Sequence, residues 1–160
     1  MKSERKYSLL EAKSRLEALC AYQERCTFEL KKKMQSWGID LEDQNILISD
    51  LISNNFLSEE RYAEAFVSGK TRIKRWGRIK IRIELKRRFI SEYSIKKGLE
   101  SIDQDEYWSN LRHLADKKWG ATSSERDQFK RKVKTYRFLS TKGYETDLIR
   151  EAVEEVINSQ

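Results

Sequence analysis

Proline is absent from this chain of 160 residues, and glycine occurs only six times. With so few breakers, and with Lys, Glu, Leu and Arg abundant, the chain is expected to be almost entirely helical. Cysteine is scarce: Cys20 and Cys26 are the only two, and His113 is the only histidine. A structural zinc site needs four ligands, so this set excludes one. Both thiols are expected to be small, partly buried residues in a reducing compartment, and His113 a helix-surface residue. No Gly-rich phosphate loop, nucleophile elbow or metalloprotease helix occurs, so neither an enzyme nor a bound cofactor is expected. Met1 to Lys6 lead into no uninterrupted apolar stretch, and no run approaches the roughly 20 apolar residues of a membrane span. A soluble, cytoplasmic protein without membrane contact is the expectation. Aromatic residues make up 11% of the chain, which argues against disorder.

Acid is nearly missing from one segment. Between Lys70 and Arg88 the only carboxylate is Glu84, set against ten bases: Lys70, Arg72, Lys74, Arg75, Arg78, Lys80, Arg82, Lys86, Arg87 and Arg88. The local charge of +9 exceeds the +7 of the whole chain. Like charges at this density repel, so their value is expected to lie in binding a polyanion or an acidic protein groove. A second segment, Arg126 to Lys142, carries seven bases against Asp127, and the rest of the chain sums to −8. From it Lys130, Arg131, Lys134 and Arg137 join the first ten as candidate binding residues. Trp76 is a further candidate. It and Tyr136 lie within basic helices, where an aromatic ring could stack on unpaired bases, although core packing is the favoured reading.

A repeat emerges when the ends of the basic segments are aligned. Leu30 to Met34 precede Trp37-Gly38-Ile39-Asp40, Ile81 to Leu85 precede Arg88-Phe89-Ile90-Ser91, and Arg137 to Leu139 precede Lys142-Gly143-Tyr144-Glu145. The offsets are 51 residues from Met34 to Leu85 and 54 from Leu85 to Leu139. Near-constant spacing suggests one three-helix unit used three times, over residues 1–57, 58–103 and 104–160. Asp40, Ser91 and Glu145 are expected to cap each third helix, Ser58 and Thr27 to cap two others. Gly38, Phe89 and Gly143 occupy the left-handed position that ends each middle helix. Helices are predicted near 8–23, 27–37, 41–54, 58–71, 77–89, 92–101, 105–119, 124–141 and 145–158.

One window reads differently. Ile79, Ile81, Ile83 and Leu85 alternate with Arg, Lys and Glu, the pattern of a strand. On a helix they form two stripes, Ile79, Ile83 and Ile90 on one and Ile81, Leu85 and Phe89 on the other, which suits a central helix. The repeat alignment favours the helix.

Several stretches resemble the RecX family of bacterial regulators of the RecA recombinase. They are Arg25-Cys26-Thr27-Phe28-Glu29-Leu30 with Trp37-Gly38-Ile39, and Phe56 to Ala63 with Phe66-Val67. The most specific is Trp76-Gly77-Arg78-Ile79-Lys80-Ile81-Arg82-Ile83-Glu84-Leu85 with Phe89-Ile90-Ser91, followed by Lys118-Trp119-Gly120 and Arg137 to Tyr144. The family usually has serine where Thr27 stands and glycine where Phe89 stands, departures that touch cap geometry and no charge. The resemblance implies an all-α fold of three tandem three-helix repeats curved into an elongated body. It also implies a monomeric regulator of recombination and DNA repair, within the SOS response, that binds RecA and its filaments on single-stranded DNA. Such a regulator inhibits the ATPase and strand exchange of RecA, and contacts single- and double-stranded DNA without sequence specificity.

Two other readings follow from the residues. The chain could be a sequence-independent DNA-binding module with only incidental contact to RecA. A nuclease would need clustered carboxylates for metal; Glu59-Glu60, Asp103-Asp105-Glu106 and Glu154-Glu155 fall instead at expected helix ends.

Overall fold

The computed structural model describes residues 4–160. Among them the chain forms nine α-helices and no strand: α1 Leu9–Tyr22, α2 Thr27–Ser36, α3 Leu41–Ser53, α4 Glu59–Arg72, α5 Arg78–Arg87, α6 Glu92–Glu100, α7 Gln104–Ala121, α8 Gln128–Thr141 and α9 Thr146–Asn158. The expected boundaries hold to within two residues except at the start of α8. There the Asp127 carboxylate accepts from the backbone of Phe129 and Lys130, and a turn from Thr122 to Glu125 holds the preceding chain out of the helix.

Local chemistry explains most of the ends. The side chains of Ser8, Asp40, Ser58, Ser91 and Asp103 each accept from the backbone N–H three residues on, satisfying a donor that a helix start leaves free. Gly38, Phe89 and Gly143 adopt φ of 75°, 59° and 93°, the left-handed geometry that stops each middle helix. Two expected caps are corrected. Thr27 is the first residue inside α2, and Cys26 holds the cap position without a side-chain bond. Glu145 makes no cap bond to α9 because its carboxylate is committed to Arg78 in the neighbouring unit and to Tyr107 in its own.

The window at Ile79–Leu85 is helix α5, and only one of its two stripes is buried. Ile81 and Leu85, one turn apart, are fully enclosed, whereas Ile79 and Ile83 are nearly half exposed. Phe89 does not join Ile81 and Leu85: the reversal at its positive φ turns the ring out to solvent, 78% exposed. Ile46 and Ile52 also face outward, on the side of α3 opposite Leu47, Ile48 and Leu51.

Three apolar clusters follow one another along the body. Ala12, Leu16, Leu30, Met34, Trp37 and Leu51 anchor the first; Tyr62, Val67, Ile81, Leu85 and Ile95 the second; Leu111, Trp119, Leu139, Tyr144 and Val153 the third. Cys26 and Phe28, at the start of α2, pack into the second cluster, and Ile102 lies against both the second and the third. Burial pushes the thiols of Cys20 and Cys26 up, so both stay protonated and unreactive. His113 lies exposed on α7.

Polar contacts join neighbouring units only. Arg61 bonds Glu24 at 2.9 Å and Tyr62 bonds Glu29 at 2.8 Å across the first junction. Arg78 to Glu145, Tyr144 to the Arg75 carbonyl and Asn110 to the Thr71 carbonyl cross the second. Among the described residues no hydrogen bond or ion pair links the first unit to the third. The accessible surface of 10287 Å² exceeds the roughly 8,400 Å² of a compact monomer this size, as an elongated array requires.

Candidate nucleic-acid interface

The basic residues are brought together by an unusual helix start. Helix α5 opens with Arg78 and Lys80, which oppose the positive end of its dipole, and Gly77 offers no capping side chain. The third unit supplies what the sequence around α5 lacks. The Gly77 N–H donates to Lys142 O at 2.7 Å, the Ile79 N–H to Gly143 O at 3.0 Å, and the Arg78 N–H to the Tyr107 hydroxyl at 3.1 Å. The negative end of α8 thus meets the positive end of α5, and the two basic helices join end to end. Tyr107 in turn donates to Glu145, and with burial this carboxylate pushes the phenol well above its ordinary range.

The candidate residues divide by what they touch. Arg78 is bonded to Glu145 at 2.7 Å and stacked on the Tyr107 ring. Arg88 bonds the carboxylate and carbonyl of Glu84, lies over Phe66 and approaches Glu29. Arg131 donates to the Trp119 carbonyl at 3.1 Å through Nε and lies 3.8 Å over its ring. These three arginines hold the fold together. Arg72 pairs with Glu106, Arg87 with Glu84, and Lys134 with Glu125. Arg82 and Lys86 share Glu92, whose carboxyl is held below its usual range chiefly by the Arg82 hydrogen bond. All five are solvent-exposed pairs of the kind worth little to stability, so each base can exchange its partner for a phosphate at small cost.

Trp76 is half-buried. Its ring meets Phe66 edge-on, with Lys70 at 4.8 Å and Lys80 at 4.4 Å over it. It packs and orients cations, and its ring is not presented for stacking. Tyr136 packs against the third cluster. Arg75 adopts φ 53° in the turn between α4 and α5, and its Nε is buried without a partner. Lys74, Lys130 and Arg137 are exposed, with no ion pair, hydrogen bond or ring beneath them among the described residues. Among the candidates these three are the cations most available to an outside anion, whereas Lys70 and Lys80, though free of ion pairs, lie over aromatic rings.

Counting charge along the sequence therefore overstated the free charge. Glu92, Glu106, Glu145 and Glu29 come from outside the Lys70–Arg88 segment and neutralise part of it, which only the fold brings about. The candidates also omitted Lys142, which sits at the α5–α8 joint over Phe138, and Lys118 over the same ring. The Lys118-Trp119-Gly120 motif was their available signal. Asp103 caps α7, and Glu59 bonds Ser91 and Ser94, so these acids serve local structure. Among the described residues no three His, Cys, Asp or Glu side chains are placed to hold a metal, and no helix is long and apolar enough to cross a membrane.

Comparison with known proteins accords with this architecture. Residues 58–99 match the family model described as RecX, second three-helix domain, and residues 104–153 match RecX, third three-helix domain. The regulatory protein RecX of Clostridium botulinum (strain Eklund 17B / Type B) is 35% identical over 131 residues, 81% of this chain; the match spans 61% of that protein's length. The RecX of Chlorobaculum tepidum is 30% identical over 132 residues, covering 82% of this chain and 79% of its own. The crystal structure of RecX from Lactobacillus salivarius superposes with a TM-score of 0.80 at 21% identity, over 94% of this chain and 97% of that one, which shows the shared fold. With both three-helix models matched in order and relatives at least 30% identical over about four-fifths of the chain, the chain belongs to the RecX family.

Proposed function

We propose that this chain regulates recombination by binding RecA and its filaments on single-stranded DNA, and that it inhibits RecA's ATPase and strand exchange. The observation that supports the reading is the end-to-end junction of the basic helices α5 and α8 at Gly77–Lys142, with Lys74, Lys80, Lys130 and Arg137 unpaired by carboxylates. A filament on DNA offers phosphates and acidic protein surface together, and both suit such a face. The protein acts by occupying the filament rather than by catalysis, as a cytoplasmic monomer, and its working units divide near residues 57 and 103. The test is RecA's DNA-dependent ATPase titrated with this protein: hydrolysis falls with added protein, and an unchanged rate rejects the reading.

The alternative, a DNA-binding module with incidental RecA contact, draws on the same unpaired lysines. The half-buried ring of Trp76 speaks against base stacking as its basis. Affinity for naked single-stranded DNA equal to that for a preformed filament would favour this second reading.

A further inference from the structure

A cleft of about 590 Å³ lies between the first and second units. Phe28, Ile52, Leu57, Phe89 and Ile90 make its walls largely apolar, and Lys31, Glu59 and Arg88 are the charged residues of the lining. Phe89 is the unusual residue. The equivalent positions of the other two units are Gly38 and Gly143, which take left-handed φ freely, whereas a phenylalanine at φ 59° is strained. Its ring is also 78% exposed, so neither the backbone nor the core gains from it. What it does is extend the cleft wall, against Phe28 at 5.4 Å between centroids. Strain kept in an exposed aromatic side chain marks a working surface.

Two lysines at the cleft are free of ion pairs among the described residues. Lys31 has no ion-pair partner among the described residues, and Lys32 lies over the Phe28 ring at 4.7 Å. The start of α2, which forms one side, has no side-chain cap bond and carries one acid, Glu29, in its first turn. The one acid in the lining, Glu59, is occupied: its carboxylate accepts from the Ser91 N–H at 2.7 Å and from the hydroxyls of Ser91 and Ser94. We propose that this cleft is a docking site for a short acidic segment of a protein partner, one bulky apolar side chain of which enters between Phe89 and Ile52 while its carboxylates face Lys31 and Lys32. The volume lies within the range of about 300–1,000 Å³ found for ligand clefts. Phe28 and Phe89 are tilted 57° to each other, which suits an inserted side chain and gives no parallel platform for bases. This proposal stands apart from the RecA reading and survives its failure.

The experiment uses the full chain and fluorescein-labelled 12-residue peptides, each with four aspartates around one Leu, Ile, Phe or Trp at every position. Binding is read by anisotropy. Members of this set bind the parent protein and lose at least about tenfold in affinity when Asp is replaced by Asn or the apolar residue by Ser. Phe89→Gly, which relieves the strained backbone and so keeps or raises the melting temperature, weakens the same peptides at least about tenfold. Lys31→Gln weakens them further and lessens their salt dependence. Three results overturn the proposal: no peptide prefers the parent to Phe89→Gly; Phe89→Gly weakens binding of a thymidine oligonucleotide as much as of the peptides, making the cleft a nucleic-acid surface; or sedimentation shows self-association that Phe89→Gly abolishes, making the occupant a second copy.

Discussion

The backbone of Gly77 lies directly against that of Gly143. The Gly77 N–H donates to the Lys142 carbonyl at 2.7 Å, and a Cβ on Gly77 would overlap the Gly143 carbonyl. A Cβ on Gly143 would in turn overlap Lys80, at a φ of 93° that side chains rarely adopt. These two glycines set how closely the second and third units approach. Gly143→Ala should therefore cost at least about 3 kcal/mol, since overpacking adds to backbone strain, and Gly77→Ala about 1–3 kcal/mol. Urea denaturation of each variant measures this; a loss below about 0.5 kcal/mol for both would show the joint to be loose.

Both junctions between units are sensitive to alkali. Tyr107, Tyr144 and Tyr62 all have phenols pushed up by burial, and Tyr107 and Tyr62 are raised further by accepting carboxylates, Glu145 and Glu29. In the unfolded chain a tyrosine titrates near pH ~10. Above that pH the unfolded state loses protons that the folded state retains, so stability is full below pH ~10 and falls as pH rises. Each tyrosine adds up to about 1.4 kcal/mol per pH unit to the slope. Stability measured from about pH 8 to 11 should show this fall, and Tyr107→Phe should make it shallower.

Charge and packing separate cleanly on the basic face. The triple change Lys74→Gln, Lys130→Gln and Arg137→Gln touches no internal partner and should leave the melting temperature unchanged. If each cation neutralises one phosphate of a single strand, the slope of log K against log salt should fall by about two, at roughly 0.7 per contact. Inhibition of RecA should weaken in parallel. Undiminished inhibition at physiological salt would move the binding surface elsewhere.

Arg131→Gln should behave in the opposite way. It removes two hydrogen bonds to the Trp119 carbonyl and a cation over the Trp119 ring, so it should cost about 1–3 kcal/mol and leave the salt slope little changed. Calorimetry and oligonucleotide titrations distinguish the two variants.

Leu85→Ala tests the buried stripe of α5. The side chain is fully enclosed, and its loss should cost about 2–5 kcal/mol. Ile83→Ala, on the half-exposed stripe of the same helix, should cost less than half as much. Equal losses would mean that both stripes are packed.

The helices, their capping serines and aspartates, the left-handed stops at residues 38, 89 and 143, and the threefold repeat follow from neighbours close in sequence. Periodicity, cap residues and missing prolines act over one or two turns, so they can be read from the chain alone. The location of the basic segments is local in the same sense. Which bases are free is not, because Glu92, Glu106 and Glu145 reach them only after distant helices pack. The start of α5 is the sharpest case. Its alternating sequence reads as a strand and its first turn repels the helix dipole, yet carbonyls and a phenol from the third unit supply the donors' partners. Tertiary structure likewise decided that Glu145 pairs with Arg78 instead of capping α9, that Trp76 packs between two lysines, and that Phe89 faces a cleft. Each is a contact between residues far apart in the chain, and only the packed array fixes such contacts.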